Sequence, residues 1–386
     1  MLCPLVLLTL TIMSWLYWLV ACWCAATFFA EPQPAADEHL PPVSLLKPMR
    51  GLDPGAYENL RSHLTQDYPA YEVLVGVTDG RDPALEVVRE LQREFGGRKI
   101  RAFVAPKVGA NDKVSSLCYL AQQASYDTLV VCDSDMRVTR DFLARMTAPL
   151  HDPSVGLVTC LYRGAQAETF TAVLEALYIG ATFLPSVLVA RRYLRMRFAL
   201  GAATALRRQQ LQEIGGFEVL ADYLADDYQL GARVAATGKR VHLSDCTTQT
   251  ILGATTFRQQ WDREVRWAKC TRVSRPLEYP GLLLTFSTPL ALLTAASLGF
   301  STAGCGAVVV SLLVRWLVAR QMAAHLGDRL ILASWLWLPV RDLLTAAVWC
   351  AAGLGRRVNW RDGRYVLCEG GRLRELAPRE AHASAP

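Results

Sequence analysis

No charged side chain occurs between Met1 and Ala30, and none of the eleven cysteines stands in a Cys-x-x-Cys pair or beside a histidine at metal-ligand spacing. The second absence excludes a cysteine-held metal site of ordinary spacing and leaves the thiols as small apolar residues of a reducing compartment. Charge is scarce throughout: 20% of the 386 residues are charged and 52% hydrophobic, which excludes a disordered or fibrous chain. The excess of 41 Lys+Arg over 35 Asp+Glu is only +6. That bias suits an anionic membrane surface or a phosphate ligand and falls short of a nucleic-acid-binding charge, so no nucleic acid partner is expected. No internal repeat is visible.

The apolar excess has a place. About 20 helical residues at ~1.5 Å each cross the ~30 Å hydrocarbon layer, so residues 1–30 read as an N-terminal transmembrane helix. A cleaved signal peptide is the competing reading, but the basic leader is missing and the run is too long. The acidic, Pro-rich stretch 31–42 reads as a linker. A second uncharged stretch, 281–314, suits one tilted helix or two short ones hinged around Gly299 to Gly306. Arg341 and Asp342 interrupt a third, 330–354, and predict a re-entrant or interfacial pair of short helices. The C-terminal membrane region is thus 281–354, followed by a basic tail, 355–386. Lys47, Arg50, Arg272, Arg275, Arg356, Arg357, Arg361 and Arg364 flank the spans on the side of the middle region, which the positive-inside rule places in the cytoplasm.

That middle region, 43–275, changes character. Val43–Leu46, Glu72–Val77, Ile100–Val104 and Thr128–Cys132 read as buried strands, with helices at Tyr57–Gln66, Pro83–Phe95 and Lys113–Ala124 between them. Such alternation predicts an α/β, doubly wound (Rossmann-like) parallel sheet with its ligand at the strand C-terminal ends.

The strand ends carry acids. Asp79 follows the second strand, and Asp133-Ser134-Asp135 follows the fourth. Two carboxylates one residue apart suit a divalent cation that bridges to phosphates; a solvated turn or helix cap is the bland alternative, and the position at the end of a buried strand favours the cation. Gly109–Lys113 precedes a helix and either faces an anion with its N–H groups and Lys113 or is a capped helix start. Gly201 and Gly215-Gly216 permit close backbone approach to a ligand or to a neighbouring strand. Asp226-Asp227 opens another helix, as dipole-favoured residues or, in a pocket, as a candidate base. Arg263, Arg266 and Trp267 suit a diphosphate clamp or stacking on a substrate, whereas Arg272 and Arg275 read as a juxtamembrane stripe for anionic head groups.

In order, Asp79, Asp133-x-Asp135, Asp227 and Arg263-x-x-Arg266-Trp267 resemble the D, DxD, D, (Q/R)xxRW signature of the membrane-bound family 2 and family 21 glycosyltransferases, the ceramide glucosyltransferase relatives. Val155–Gly164, Phe183–Arg191, Tyr223–Leu230 and the segments Pro339–Asp342 and Asn359–Gly363 are similar to the bacterial hopanoid branch, which adds N-acetylglucosamine to bacteriohopanetetrol. Ceramide-type members resemble Asp-Ser-Gly where this chain has Asp133-Ser134-Asp135, which favours the hopanoid branch. The resemblance implies a GT-A fold, inverting transfer from a UDP-sugar donor to a membrane lipid acceptor (hopanoid or sphingolipid), Mg²⁺ or Mn²⁺, and a bacterial inner membrane location. It places Asp79 near the nucleoside, Asp133 and Asp135 at ribose, metal and diphosphate, and Lys113 near the nucleotide. Asp227 becomes the base, and Arg263, Arg266 and Trp267 line the diphosphate and acceptor. Ceramide glucosylation and a non-catalytic membrane component are the alternatives; the latter predicts that the carboxylates lie apart.

Overall fold

The computed structural model describes residues 2–32, 34, 40–96, 100–360 and 363–376. The uncharged N-terminal run is one helix, α1 (Leu2–Ala30). Six of the expected linker residues, 33 and 35–39, lie outside the described part. The chain then alternates through β1 (Val43–Pro48), α2 (Ala56–Leu64), β2 (Tyr71–Val77), α3 (Ala84–Glu94), β3 (Ile100–Val104), α4 (Asp112–Gln123) and β4 (Thr128–Cys132). Each element read from the sequence is there, with ends within two residues. β1 and β4 are buried along their whole length and β2 nearly so, because helices cover both faces of parallel strands and apolar side chains are needed on each.

The next part runs through β5 (Met136–Arg137), α5 (Phe142–Thr147), β6 (Val155–Ala167), α6 (Phe170–Tyr178), α7 (Leu184–Tyr193), β7 (Ala203–Arg207), α8 (Arg208–Glu213), α9 (Asp226–Ala236), β8 (Arg240–Gly253) and α10 (Phe257–Ser274). All eight strands join one sheet, ordered β3-β2-β1-β4-β7-β6-β8-β5. β3, β2, β1 and β4 are parallel, but β7 runs antiparallel to β4 and β6. The expected parallel sheet is therefore half of a mixed one. The helical excursion α6–α7 returns the chain to the end of the sheet it left, and this reverses β7.

α9 packs against the segment before β7 with no room for a side chain at Gly231. A Cβ there would stand 2.4 Å from the Ala199 nitrogen and 2.5 Å from the Phe198 carbonyl carbon, backbone atoms that have no rotamer with which to yield. Gly231→Ala should therefore destabilise the protein by about 1–3 kcal/mol, read as a lower melting temperature in detergent; an unchanged melt would mean that the segment moves freely.

The remaining helices are α11 (Ser287–Ser297), α12 (Thr302–Leu326), α13 (Arg329–Ser334) and α14 (Leu338–Gly353). Four helical stretches among the described residues are long and apolar enough to cross a membrane: Cys3–Ala30, Phe170–Tyr193, Thr302–Leu326 and Arg329–Gly353. The stretch 281–314 takes the two-helix option, with the break at Gly299 and Phe300, both at positive φ. The expected re-entrant pair at 330–354 is corrected: 329–353 runs on as a candidate span, and the sharp bend, 72°, lies between Tyr279–Thr285 and α11. The reason is that neither charge of Arg341-Asp342 faces lipid alone. Arg341 grips Glu264 with both of its terminal nitrogens at 2.8 Å, and Asp342 accepts from Arg315 and from Thr288. The apolar stretch Phe170–Tyr193, unexpected from sequence, starts and ends beside one sheet, since β6 before it pairs with β7 after it; 72% of its most apolar window is buried, and it carries a π-helical turn, Ile179–Phe183. There the Ala181 carbonyl accepts from Arg315.

Residues of the expected basic tail fold into a small antiparallel sheet of β9 (Arg357–Trp360), β10 (Gly363–Leu367) and β11 (Leu373–Glu375), which packs on Leu224 and Cys270. Arg361 and residues 377–386 lie outside the described part. All eleven cysteines are free thiols.

Candidate active site

Three elements deliver charged side chains to one place. β4 ends at Cys132, so Asp133 and Asp135 emerge at the C-terminal edge of the parallel half-sheet; α9 begins at Asp226 and Asp227; and α4 presents Lys113 from its first turn. Lys113 Nζ lies 2.8 Å from Asp133 Oδ1 and 3.0 Å from Asp226 Oδ2. Gly201 forms the facing wall: a Cβ on it would stand 3.0 Å from Asp227 Oδ2 and 3.5 Å from Asp133 Oδ2. The Asp227 carboxylate is fixed through Oδ1, which accepts the Tyr228 N–H at 2.7 Å. Its Oδ2 has no hydrogen-bond partner among the described residues and faces the cleft.

Burial sets the protonation chemistry. It pushes Asp227 up to about 6, helped by the Asp226 charge and opposed by the Lys113 ammonium. It also raises Asp135 to about 6, helped by Asp133 and Asp53, although Thr250 donates to Asp135 Oδ2 at 2.7 Å. Asp133 is raised by burial against the pull of Lys113. Burial works against the Lys113 ammonium, but Asp133, Asp226 and Asp227 outweigh it and raise its pKa. Lys113 thus meets carboxylates, and N–H groups on either side of it are occupied: Ala110 N–H donates to Asp222, Asn111 N–H to the Ala221 carbonyl, and Val114 N–H to the Asn111 side chain that caps α4.

Asp79 is placed differently. It follows β2 at the same sheet edge, separated from β4 by β1, but it is exposed, and among the described residues its carboxylate accepts from the Arg81 N–H in its own turn, with the Arg81 guanidinium at 3.9 Å. Three of the four motif acids therefore gather and one stands apart on the rim.

α10 starts in a capping box, Thr256 with Gln259, and spreads its motif over two neighbours. Arg263 donates to Glu175 on α6 at 2.7 Å, and Glu175 feels the charge of Asp135. Trp267 stacks on Tyr178 at 6.5 Å, while Arg266 lies over the Trp360 ring of the C-terminal sheet.

Sequence reasoning missed several participants. Lys47, read there as a membrane-flanking charge, is completely buried in β1 and donates to the Asp133 carbonyl. Beside it His63, Nε2 3.5 Å from Lys47 Nζ and 3.3 Å from Cys132 Sγ, is held well below its usual pKa by burial and by Lys47. A lone lysine in a strand otherwise as apolar as Val43–Leu46 was the available signal. Asp53 accepts from Ser134 inside the Asp-Ser-Asp triplet. Tyr162 on β6 is kept a neutral phenol by burial, by Tyr178 and by the carboxylates of Asp227, Asp135 and Asp133. Arg272, read as a lipid contact, instead donates to the Gly353 and Gly355 carbonyls.

The donor set fits a hard divalent cation in kind: oxygen ligands only, with Asp133 Oδ1 buried and lacking a well-directed donor despite the nearby ammonium. Among the described residues no three His, Cys, Asp or Glu side chains are set closely enough to hold a metal ion by themselves. The protein thus offers one or two carboxylates, the number Mg²⁺ commonly takes when phosphates and water supply the rest.

Known proteins match along most of the chain. Ceramide glucosyltransferase 3 of Caenorhabditis elegans is 26% identical over 351 residues, 87% of this chain and 75% of its own length. Ceramide glucosyltransferase 1 of the same organism is 26% identical over 356 residues, 89% and 74% of the two chains. A mannosyltransferase from Pyrobaculum calidifontis, solved in complex with GDP-Man and Mn²⁺, superposes with a TM-score of 0.55 at 21% identity, covering 91% of this chain and 97% of its own. This likeness establishes the fold, the GT-A type of mixed α/β sheet. The sequence profile of glycosyl transferase family 21 matches residues 6–373, from α1 through the acid cleft and α10 to the C-terminal sheet, and the chain belongs to that family.

Proposed function

We propose that the protein is an inverting hexosyltransferase that moves a sugar from a UDP-sugar to a hydroxyl of a membrane lipid, and that the pair is N-acetylglucosamine and bacteriohopanetetrol. The observation that carries the transfer is the meeting of Asp133 and Asp227 opposite Gly201, with Asp135 two residues from Asp133 and one Asp227 oxygen left unbonded toward the cleft. A non-catalytic membrane component has no need of such a gathering. The Asp-Ser-Asp triplet supports the hopanoid acceptor, whereas full-length similarity to ceramide glucosyltransferases supports a second reading, glucose to ceramide.

In this mechanism the acceptor hydroxyl gives its proton to Asp227 Oδ2 as its oxygen bonds to the anomeric carbon. The bond from that carbon to the UDP oxygen breaks on the opposite face, and one displacement inverts the centre. The negative charge that develops on the diphosphate is met by Lys113, which exchanges carboxylate for phosphate contacts, and by Arg266, preorganised charges of the kind that dominate such barriers. Arg263 holds α10 through Glu175, and Trp267 bounds the acceptor side. Asp133 and Asp135 would hold Mg²⁺ or Mn²⁺, which when bound supplies further charge neutralisation to the leaving group. Asp79 closes the nucleoside side as a rim residue. Residues 43–275 form the catalytic domain in the cytoplasm of a bacterium, at the inner membrane, between α1 and the 281–354 helices.

Membranes carrying the protein, incubated with labelled UDP-N-acetylglucosamine or UDP-glucose and either lipid, decide the substrates. Label on bacteriohopanetetrol from the former is expected; label only on ceramide from UDP-glucose establishes the second reading, and label on neither overturns transfer to these lipids. A base must be ionised to act, and Asp227 titrates at about 6. kcat/KM should therefore hold above that pH and fall as the pH drops through it. A rate unchanged down to about pH 5 removes Asp227 from the role.

A further inference from the structure

The C-terminal ends of α1 and α7 meet. Glu31 is the first charge after α1, and Arg191 at the end of α7 binds both of its oxygens, at 3.1 and 2.5 Å. Immediately beyond, Arg192, Arg195 and Arg197 are exposed, and among the described residues none has a carboxylate partner. Arg192 lies 5.3 Å over the Trp23 ring, which ties the cluster to the last two turns of α1. Arg275 joins from the other side, 4.9 Å over Phe198, two residues before Leu277. Apolar side chains stand between the charges: Leu194 is 49% and Leu277 91% exposed. A soluble face would pair such arginines or keep leucine away from water. Guanidinium groups interleaved with exposed leucines, at the end of a spanning helix, suit a layer with acidic head groups above acyl chains.

We propose that Arg192, Arg195 and Arg197, with Arg275 beside them, form a docking surface for the anionic phospholipid head groups of the leaflet in which α1 ends. Arg275 also lies 5.8 Å over the ring of Tyr228, the neighbour of Asp227, so the surface borders the acid cleft. It rests on α1 crossing the bilayer and not on sugar transfer, so it stands or falls separately from the lipid-labelling result.

The test uses the full chain in nanodiscs of phosphatidylcholine mixed with phosphatidylglycerol, with the lipids retained after detergent extraction counted by native mass spectrometry. The wild-type protein should retain phosphatidylglycerol preferentially, and rising KCl should erode the preference. Arg192→Gln/Arg195→Gln/Arg197→Gln should lower it by about two orders of magnitude, at roughly fivefold per arginine. Arg192→Lys/Arg195→Lys/Arg197→Lys should keep it, which separates lost charge from lost folding. Millimolar inorganic phosphate should leave it unchanged. Displacement by phosphate would make this a free-phosphate site, and equal retention of both lipids by wild type, or equal preference in wild type and the Gln variant, would overturn the proposal.

Discussion

Asp227→Asn should lower turnover by about 10²–10⁴-fold, roughly 3–5.5 kcal/mol of barrier, while the UDP-sugar dissociation constant stays within a few-fold of wild type. The substitution is nearly isosteric, and the amide oxygen can still accept the Tyr228 N–H that fixes Oδ1. Lys113 keeps its bonds to Asp133 and Asp226, so the donor side of the cleft is left intact. What disappears is the lone pair on Oδ2, turned toward Gly201 and without a partner. Asp133→Asn is the contrasting case: it takes a charge from Lys113 and from the site for the cation, so donor binding and turnover should fall together. Single-turnover rates beside calorimetric donor binding separate the two. If Asp227→Asn loses both in parallel, its carboxylate belongs to the donor site and is not the base.

The parts of this arrangement that could be read in advance are those that local chemistry marks. β1, β2 and β4 announce themselves because strands covered on both faces are continuous apolar runs, and Asp133 stands out because it ends such a run. Asp226 and Asp227 mark a helix start by the same logic. The position of Asp79 at a strand end was legible, but its distance from the other acids depends on β1 lying between β2 and β4, a matter of strand order. Lys47 looked like a flanking charge because nothing in Val43–Pro48 reveals that His63 and the Asp133 carbonyl wait beside it. The long apolar helical stretch 170–193 was hidden for a related reason. Glu175 and the arginines at its end break the apolar signal, and their partners Arg263 and Glu31 are 88 and 160 residues away.

The same hidden pairing governs stability where α10 meets α14. Arg341 and Glu264 are 0% and 3% exposed, joined by two bonds of 2.8 Å, with Thr345 also accepting from Arg341 and Tyr178 lying 4.9 Å from the guanidinium. Removing one partner leaves an uncompensated buried charge, so Glu264→Gln or Arg341→Met alone should cost about 3–5 kcal/mol and lower the melting temperature by on the order of 10 °C. Replacing both by apolar residues, Arg341→Met with Glu264→Leu, should recover most of that loss, because the desolvation penalty disappears along with the attraction. Activity should not recover in step. Glu264 is flanked on α10 by Arg263 and shares the helix with Arg266 and Trp267, while the next residue of α14, Asp342, is clasped from the other side by Arg315 of α12. Successive residues of α14 thus bind the motif helix on one side and the membrane bundle on the other, and a greasy contact fixes distance without fixing register. A double variant that melts like wild type but transfers sugar poorly is the expected outcome; single variants that melt like wild type would show that the pair is solvated and that α14 does not hold α10 in place.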